Sequence, residues 1–226
     1  MRHITTAAVF IYFLGVGGFS WAEDCQLEQS TQTILDSQDE IDNFQSLYGP
    51  CDSVPGRLFI GGYNGEAPGI FDLDGLNGLI AIEGELAIYR APDLSSFGGL
   101  SNLINVGSID FAIVPLLTSL DFLSNLTGAI ASIQVHNTAL TDLSGLEGLT
   151  AITYTFASGI YINSNPELES LRGIDNLRNT GDIARVAISG NTKLLDITAL
   201  SALSSARGQI ATEYFSFSNS SLVNVD

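Results

Sequence analysis

The apolar residues of this chain recur at a regular interval. Seven times between Leu58 and Leu222, two apolar residues stand one apart, a short polar gap follows, and another apolar residue comes next. The first members of these pairs are 28, 23, 24, 27, 26 and 29 residues apart. A period of this length predicts a stack of strand-bearing coils, because one coil cannot bury its own apolar side without neighbours above and below. The pairs are Leu58/Ile60, Leu86/Ile88, Ile109/Phe111, Ile133/Val135, Ile160/Ile162, Val186/Ile188 and Phe215/Phe217.

Within a repeat, the spacing of the apolar residues changes from two to about three. Alternation sends both members of a pair inward from a short strand, and a spacing of three suits a 3₁₀-like return that touches the same core. In the second repeat, the pair is followed by Leu94, Phe97, Leu100, Leu103 and Val106. The pattern therefore predicts a mainly β solenoid of about seven coils over residues 58–226, in which each coil gives one strand to a parallel sheet.

The first 22 residues differ from the repeats and are typical of a secretory signal peptide. Arg2 is basic, residues 7–19 form an uncharged apolar run, and Ser20-Trp21-Ala22 ends in small residues, which predicts cleavage before Glu23. A membrane anchor is the alternative, but about 13 apolar residues fall short of the ~20 that span a bilayer. We expect a mature chain that is soluble and secreted, periplasmic or displayed at the cell surface, with no integral membrane segment after cleavage.

Charge excludes one class of partner. Without Arg2 the chain has 7 basic and 25 acidic residues, Lys193 is the only lysine, and the arginines are scattered. A nucleic-acid partner would require a basic stripe, so we predict none. A cationic partner stays open, although an acidic excess is more often a solvated surface.

The two cysteines, Cys25 and Cys51, both precede the first repeat. In an exported protein an even pair predicts a disulfide, with two free thiols as the alternative, and the closed loop would stabilise the fold by ~3–4 kcal/mol. A metal site would need further ligands nearby, and none are evident. We predict neither a metal nor a cofactor.

A short helix is predicted between the cysteines, from Gln38 to Tyr48. Ser37 and Glu40 form a capping box, and Gly49-Pro50 follows the segment. Apolar residues at Ile41, Phe44, Leu47 and Tyr48 fall on one face of such a helix. Residues 23–57 would then be an N-terminal cap that covers the exposed apolar end of the first coil.

Asparagine recurs three residues before an apolar residue. Such an asparagine suits a strand-end turn, where its amide bonds local backbone groups and tolerates unusual backbone angles. A polar binding ladder is the functional alternative. The four residues are Asn137, Asn165, Asn191 and Asn219.

Two insertions and the C-terminus are further candidate sites of function. Residues 61–69 are rich in glycine, and residues 154–158 lengthen the fourth repeat. Insertions in repeat arrays are often binding loops. A glycine-rich loop tip is equally consistent with extra length that the fold tolerates without a function. The seventh repeat is followed by no capping segment, so residues 214–226 are either a partial cap or an open coil that could self-associate.

The repeated phrase of an alternating apolar pair, Asn, Leu and then "GL" or "NL" resembles the receptor L domain, the ligand-binding module of insulin- and epidermal-growth-factor-type receptors. It is also similar to related fungal and microbial surface proteins. The resemblance covers about residues 25–225, including the cysteine-flanked helix. It implies a right-handed parallel β-helix, like a leucine-rich-repeat solenoid, with an N-terminal capping helix, but no particular ligand. The phrases that carry it are Leu86-Ala87-Ile88, Ile133-Gln134-Val135 with Asn137, Ile160-Tyr161-Ile162 with Asn165-Pro166-Glu167-Leu168, Leu143-Ser144-Gly145-Leu146 and Leu73-Asp74-Gly75-Leu76.

Catalytic patterns are weak. His136 is the only histidine after the signal peptide, and we interpret it as a surface residue rather than a triad member. A polysaccharide-cutting enzyme would need two carboxyls across a groove, and Asp in one repeat position alternates with Ser, which indicates turn capping. We predict that the chain is not an enzyme. The candidate carboxylates are Asp72, Asp74, Asp110, Asp142 and Asp182.

The outward side of the predicted sheet is the best candidate for a binding surface. Aromatic residues outside a core are enriched in recognition sites, although this patch is thin and cross-strand pairing alone would explain it. We predict a recognition module for a protein or glycan, with a structural, self-associating surface protein as the alternative. The residues expected to contact a partner are Phe59, Tyr89, Gln134, His136 and Tyr161.

Overall fold

The structure, a computed structural model, describes residues 25, 32–63, 65, 67–153, 159–179, 185–203 and 215–218. It is mainly β, with few helices. The strands are β1 (Gln32–Leu35), β2 (Ser53–Val54), β3 (Arg57–Gly61), β4 (Ala81–Tyr89), β5 (Asn105–Val114), β6 (Gly128–Ile130), β7 (Ser132–Thr138), β8 (Leu149–Ile152), β9 (Gly159–Asn163), β10 (Arg178–Asn179), β11 (Arg185–Ser189) and β12 (Phe215–Ser218). The helices are α1 (Gln38–Asp42) and α2 (Phe44–Tyr48).

A parallel sheet organises the repeats. Its strand order is β1-β3-β4-β5-β7-β9-β11-β12, and β2 also pairs with β4. The seven apolar pairs stand opposite one another across it: Leu58 pairs with Leu86, and the register continues through Ile109, Ile133, Ile160 and Val186 to Phe215. The prediction that each repeat gives one strand to a parallel sheet is confirmed. From β3 to β11 both members of each pair are buried.

The returns between these strands keep contact with the same core. Leu94, Leu100 and Leu103, which follow the second pair at intervals of three, are fully buried. Short 3₁₀ helices lie at Asp74–Leu76, Gly98–Leu100, Asp121–Leu123 and Thr198–Ala202. A second parallel sheet, of order β10-β8-β6, was not predicted, because its strands are only two to four residues long and carry no alternating apolar pair.

The "GL" phrases have a packing cause. Gly99, Gly145 and Gly173 each lie against a backbone carbonyl of the preceding repeat, and Gly75 lies against the carbonyl of Ile41 in α1. A Cβ built on any of the four would come within 2.1 Å of that oxygen. Phe122 takes the corresponding position in another repeat. Its ring stacks on Phe97 at 5.0 Å between centroids, and a hollow of about 240 Å³ opens beside the two rings. Glycine is therefore required where two repeats approach most closely.

The predicted helix from Gln38 to Tyr48 is not seen as one helix. Instead α1 and α2 are five residues each and are separated at Asn43, whose side-chain Nδ2 donates to the carbonyl of Asp39. The backbone amide of Asn43 donates to the same carbonyl, and the helix is interrupted because Asn43 itself leaves the helical conformation, with φ −99° and ψ 11°. The start of the helix is as expected, since Ser37 Oγ accepts from the amide of Glu40.

The break at Asn43 also changes which residues face the core. Ile41 and Phe44 are fully buried as predicted, but Leu47 is 55% exposed, so the expectation that it shares their face is wrong. The segment before α1 forms β1, an edge strand that pairs with β3 and that the sequence pattern did not reveal. No described helix is long and apolar enough to cross a membrane.

The predicted disulfide between Cys25 and Cys51 is present, with 4.9 Å between the Cα atoms. The Cys25 amide also donates to the carbonyl of Ser53, next to β4. Two connections therefore fix the start of the described chain to the entrance of the sheet.

Removing this disulfide should lower the free energy of unfolding by about 3 kcal/mol, because the unfolded chain gains the entropy of an open loop of 26 residues. Urea unfolding of the double variant Cys25→Ala/Cys51→Ala against the oxidised wild type measures this. The reduced wild type is the control and should match the variant. An unchanged free energy of unfolding would show that the bond restrains nothing.

Candidate functional site

The outer face of the large sheet, opposite the core, consists of three rows of side chains that the register aligns across β3 to β11. The first row is Arg57, Glu85, Ser108, Ser132, Gly159 and Arg185; the second is Phe59, Ala87, Asp110, Gln134, Tyr161 and Ala187; the third is Gly61, Tyr89, Ala112, His136, Asn163 and Ser189. All five predicted contact residues lie in the second and third rows, but they separate into two groups.

The first group is a packed aromatic cluster on β3 and β4. Phe59 stacks on Tyr89 with 5.3 Å between ring centroids and an interplanar angle of 14°, and Tyr63 meets Phe59 edge-on at 5.3 Å. The Arg57 guanidinium lies 5.2 Å from the centre of the Phe59 ring. As a result Phe59 is only 4% exposed, and the prediction that it is available to a partner is wrong. Its neighbours cover it, which alternation along one strand cannot reveal.

The glycine-rich insertion supplies Tyr63 to this cluster, and several of its described residues are tied to the next repeat. Gly62 and Ala67 donate backbone hydrogen bonds to the carbonyls of Tyr89 and Arg90, and the Gly69 amide donates to Asp93 Oδ2. These bonds favour a structural role for this insertion. The other insertion, residues 154–158, lies outside the described residues.

Asp110 stands between the two groups. It is 6% exposed, and its Oδ2 accepts a short hydrogen bond from the Tyr89 hydroxyl. Its Oδ1 is buried and has no hydrogen-bond partner in the described part of the chain. The arginine of the cluster is engaged elsewhere, since Arg57 Nε lies 2.6 Å from Glu85 Oε2. A buried carboxylate is thus left with half of its acceptor capacity unused, which is costly.

Burial controls the titration of this group of side chains. It raises the pKa of Asp110, and the Tyr89 hydrogen bond and the nearby His136 and Arg57 offset only part of the rise. Burial raises the pKa of Glu85 despite the opposing charge of Arg57. Burial and the bond to Asp110 raise the pKa of Tyr89, so its hydroxyl stays protonated and acts as the donor. Burial also lowers the pKa of His136.

In the variant Asp110→Asn, the free energy of unfolding should vary less with pH in the acidic range than it does in the wild type. A folded-state pKa above the usual 3.8 means that the folded chain holds this proton more tightly, so stability falls as pH rises from 3.8 through the raised pKa. Asparagine has the same shape and does not titrate, so the variant should gain stability relative to wild type across this window. Urea unfolding at a series of pH values measures both slopes.

In both proteins, His136 has the opposite effect on the pH dependence of stability. Its lowered pKa makes stability fall as pH drops below 6.5, the usual value of histidine. The charge of Asp110 raises the pKa of both His136 and Glu85, so the comparison reports Asp110 together with its effect on these two groups. Identical pH slopes for wild type and Asp110→Asn would contradict the assignment of a raised pKa to this carboxyl.

His136 belongs to the second group, on β7, β9 and β11, where it is half-buried rather than a fully exposed surface residue. Asn163 Nδ2 lies 3.3 Å from His136 Nδ1, and Ser189 Oγ donates to Asn163 Oδ1 at 2.7 Å. Because Nδ2 of the amide is a donor, Nδ1 accepts, and a neutral imidazole then carries its proton on Nε2. This row of side chains fixes the histidine with an N–H donor at its other edge.

Gln134 and Tyr161 complete the second group. They stand directly opposite each other on β7 and β9, and both are half-buried. Gln134 is also opposite Asp110 on β5. Neither side chain is hydrogen-bonded to any other described residue. The outer face therefore offers an aromatic ring, an amide and a histidine N–H in a small area. Asp110, Asn163 and Ser189 share the outward phase of their strands, but nothing in the sequence indicated how they would be bonded.

The asparagine column requires a correction. Asn165 and Asn191 are fully buried and bonded to each other, whereas Asn137 is exposed and has a positive φ of 54°. The register aligns Thr138, not Asn137, with Asn165, and the Thr138 amide and hydroxyl both donate to Asn165 Oδ1. Asn165 and Asn191 each begin a strand-end turn, as predicted, because their carbonyls accept from the amides of Leu168 and Leu194. Their side chains also form a buried ladder between repeats, whereas Asn137 takes a left-handed conformation. Asn219 lies outside the described residues.

Two of the five carboxylates that are candidates for catalysis, Asp72 and Asp142, are engaged in turns. Oδ1 of Asp72 and of Asp142 each accepts from a backbone amide two residues later, as does the hydroxyl of Ser119 in another repeat. The turn-capping interpretation of this position is confirmed. Asp74 is exposed beside it, and Asp182 lies outside the described residues. Within the described ranges, no group of three His, Cys, Asp or Glu is placed to hold a metal ion.

Comparison with known proteins adds no further assignment. No family model, curated protein or solved structure matches this chain.

Proposed function

We propose that the chain is an exported, non-enzymatic recognition module that binds a protein or glycan through the outer face of its large sheet. The observation that carries the proposal is the pair Gln134 and Tyr161, which lie beside the ordered His136 and whose polar groups bond no residue in the described part of the chain. Recognition sites combine an aromatic surface with a few fixed polar groups, and this part of the sheet has both.

The proposal includes a finer description of the fold. The in-register apolar pairs, the glycines at close approaches and the repeated turn caps all support a right-handed, leucine-rich-repeat-like solenoid related to the receptor L domain. Residues 1–22 would be the signal peptide and residues 23–57 the N-terminal cap. The disulfide supports the export that this assignment requires, because such bonds persist in oxidising compartments.

A double variant tests the binding surface. Tyr161→Ala with Gln134→Ala removes the two unused side chains and breaks no hydrogen bond to a described residue, so the thermal midpoint should change little. Binding to an array of glycans and of purified extracellular proteins should fall about tenfold or more.

The matched control is Phe71→Ala. This residue is another aromatic on the surface, 55% exposed where Tyr161 is half-buried, and it lies on a return segment away from the outer face. It should bind like the wild type. If the double variant keeps full binding while Phe71→Ala loses it, the proposed surface is wrong.

A further inference from the structure

Asp110 is a buried carboxylate that forms no ion pair with any described residue. Buried carboxylates in folded proteins are normally paired or fully hydrogen-bonded, because desolvation of the charge costs several kcal/mol. Here the Tyr89 hydroxyl satisfies only one oxygen, and Oδ1 has no donor among the described residues. The missing partner is a hydrogen-bond donor, and a positively charged donor would compensate the carboxylate most strongly.

The described residues around Asp110 do not supply this cation. Arg57 is paired with Glu85 and lies over the rings of Phe59 and Tyr89. The imidazole of His136 accepts from Asn163. Within the described ranges, no side chain places a cation on Asp110 Oδ1, and a ligand amine would fill this role.

The surroundings of Asp110 leave a way for a ligand group to approach. Its neighbours Ala87 and Ala112 are small. Gln134, opposite Asp110 on the next strand, is not bonded to any described residue, so its rotation would cost no hydrogen bond to them. Gln134 is thus a neighbour that a ligand group could displace as it approaches Asp110.

We propose that the outer face binds a glycan with free amino groups, in which a protonated sugar amine donates to Asp110 Oδ1 and a neighbouring sugar ring lies on Tyr161. The proposal rests on the proposed function, and it names the ligand of that same surface. Asp110 and Tyr161 are two strands apart, or about 10 Å at the usual strand spacing. An oligosaccharide of a few units spans this distance.

A glycan suits this surface better than a protein does. A stable protein interface buries about 800 Å² on each side around an apolar, aromatic centre. Among the described large apolar side chains that are more than a third exposed, none lies in the three rows from β5 to β11. The exposed groups here are amide, imidazole, hydroxyl and a single ring, which match the hydroxyls and the apolar face of a sugar. The net charge of −17 disfavours an acidic glycan.

Calorimetric titration with three β-1,4-linked tetramers tests the proposal: glucosamine, N-acetylglucosamine and glucose. At mildly acidic pH, where the sugar amine is protonated, wild type should bind the glucosamine tetramer about tenfold or more tightly than the other two. Asp110→Asn should reduce this preference to within about threefold. Gln134→Lys, which places a cation beside Asp110 at a half-buried position, should abolish it and provides a second variant if the first misfolds.

Asp121→Asn is the control for the change in overall charge, since this carboxylate is exposed on a 3₁₀ return. It should keep the full preference. An equal loss in Asp121→Asn and Asp110→Asn would mean general attraction to an acidic surface and would overturn the proposal.

The outcomes separate this proposal from the function on which it rests. Equal binding of all three tetramers, lost in Tyr161→Ala/Gln134→Ala, would overturn the amine specificity and leave the outer face as the binding surface. No binding of any tetramer would overturn the glycan ligand altogether.

Discussion

Replacing Asn165 with alanine should lower the free energy of unfolding by about 4 kcal/mol. Its Oδ1 accepts from the amide and the hydroxyl of Thr138, and its Nδ2 donates to the Val135 carbonyl and to Asn191 Oδ1. All of these bonds are buried, so alanine would leave the Thr138 amide without its acceptor and remove a donor from Val135, where water cannot replace them. Chemical denaturation measures the loss.

The control is Asn137→Gly, at the residue that sequence spacing places in the same column. Asn137 is exposed with a positive φ, and glycine adopts that conformation without strain, so stability should stay within about 0.5 kcal/mol of wild type. Equal losses at the two positions would mean that the ladder carries no special stability.

For these two asparagines, the sequence predicted the recurrence but not the placement of the side chain. Both stand three residues before a buried leucine, but the gap after the preceding strand is one residue longer in the repeat of Asn165. That residue, Ser164, takes the positive φ, and Asn165 moves inward to the level of Thr138. The recurrence of asparagine could be predicted from the sequence. Whether the asparagine side chain is exposed or joins the buried ladder depended on which residue absorbed the extra length.

On the outer face, too, one property could be predicted from the sequence and another could not. The period of two correctly assigned the sides of the sheet, because every apolar pair shares one register and one core. Exposure could not be derived in this way. Phe59 and Tyr161 occupy the same row, yet only Phe59 is covered, by Tyr63 from an insertion and Tyr89 from the next strand. Contacts of this kind arise between repeats, and no pattern within a repeat encodes them.

Asp110 is the clearest case of a residue that only the structure could single out. In the sequence it is one of several aspartates, and its position between Ile109 and Phe111 indicates an ordinary outward residue. The structure shows that it is buried and that it accepts a hydrogen bond from Tyr89, which lies two residues beyond its strand partner Ala87.

The second large effect is expected at Gly99, where alanine should cost at least about 4 kcal/mol or prevent folding. A Cβ at this position would lie 1.6 Å from the carbonyl oxygen of Leu73 and 2.3 Å from its carbon. The obstacle is backbone that belongs to the neighbouring repeat, so no side-chain rotation can relieve the contact and the two repeats would have to move apart. Thermal and urea unfolding of the purified variant measure the cost.

Gly98→Ala is a control one residue away in the same 3₁₀ turn. Its Cβ would meet nothing closer than Asp74 Oδ1 at 3.9 Å, and the position is exposed, so the change should stay within about 0.5 kcal/mol. The two positions carry the same residue and are adjacent in the sequence. Only the close approach of the Leu73 backbone to Gly99 distinguishes them. If both alanine variants unfold at the same urea concentration, close packing between repeats is not the reason that the "GL" phrase recurs. A loss confined to Gly99→Ala would identify the distance between neighbouring repeats as the constraint that this phrase serves.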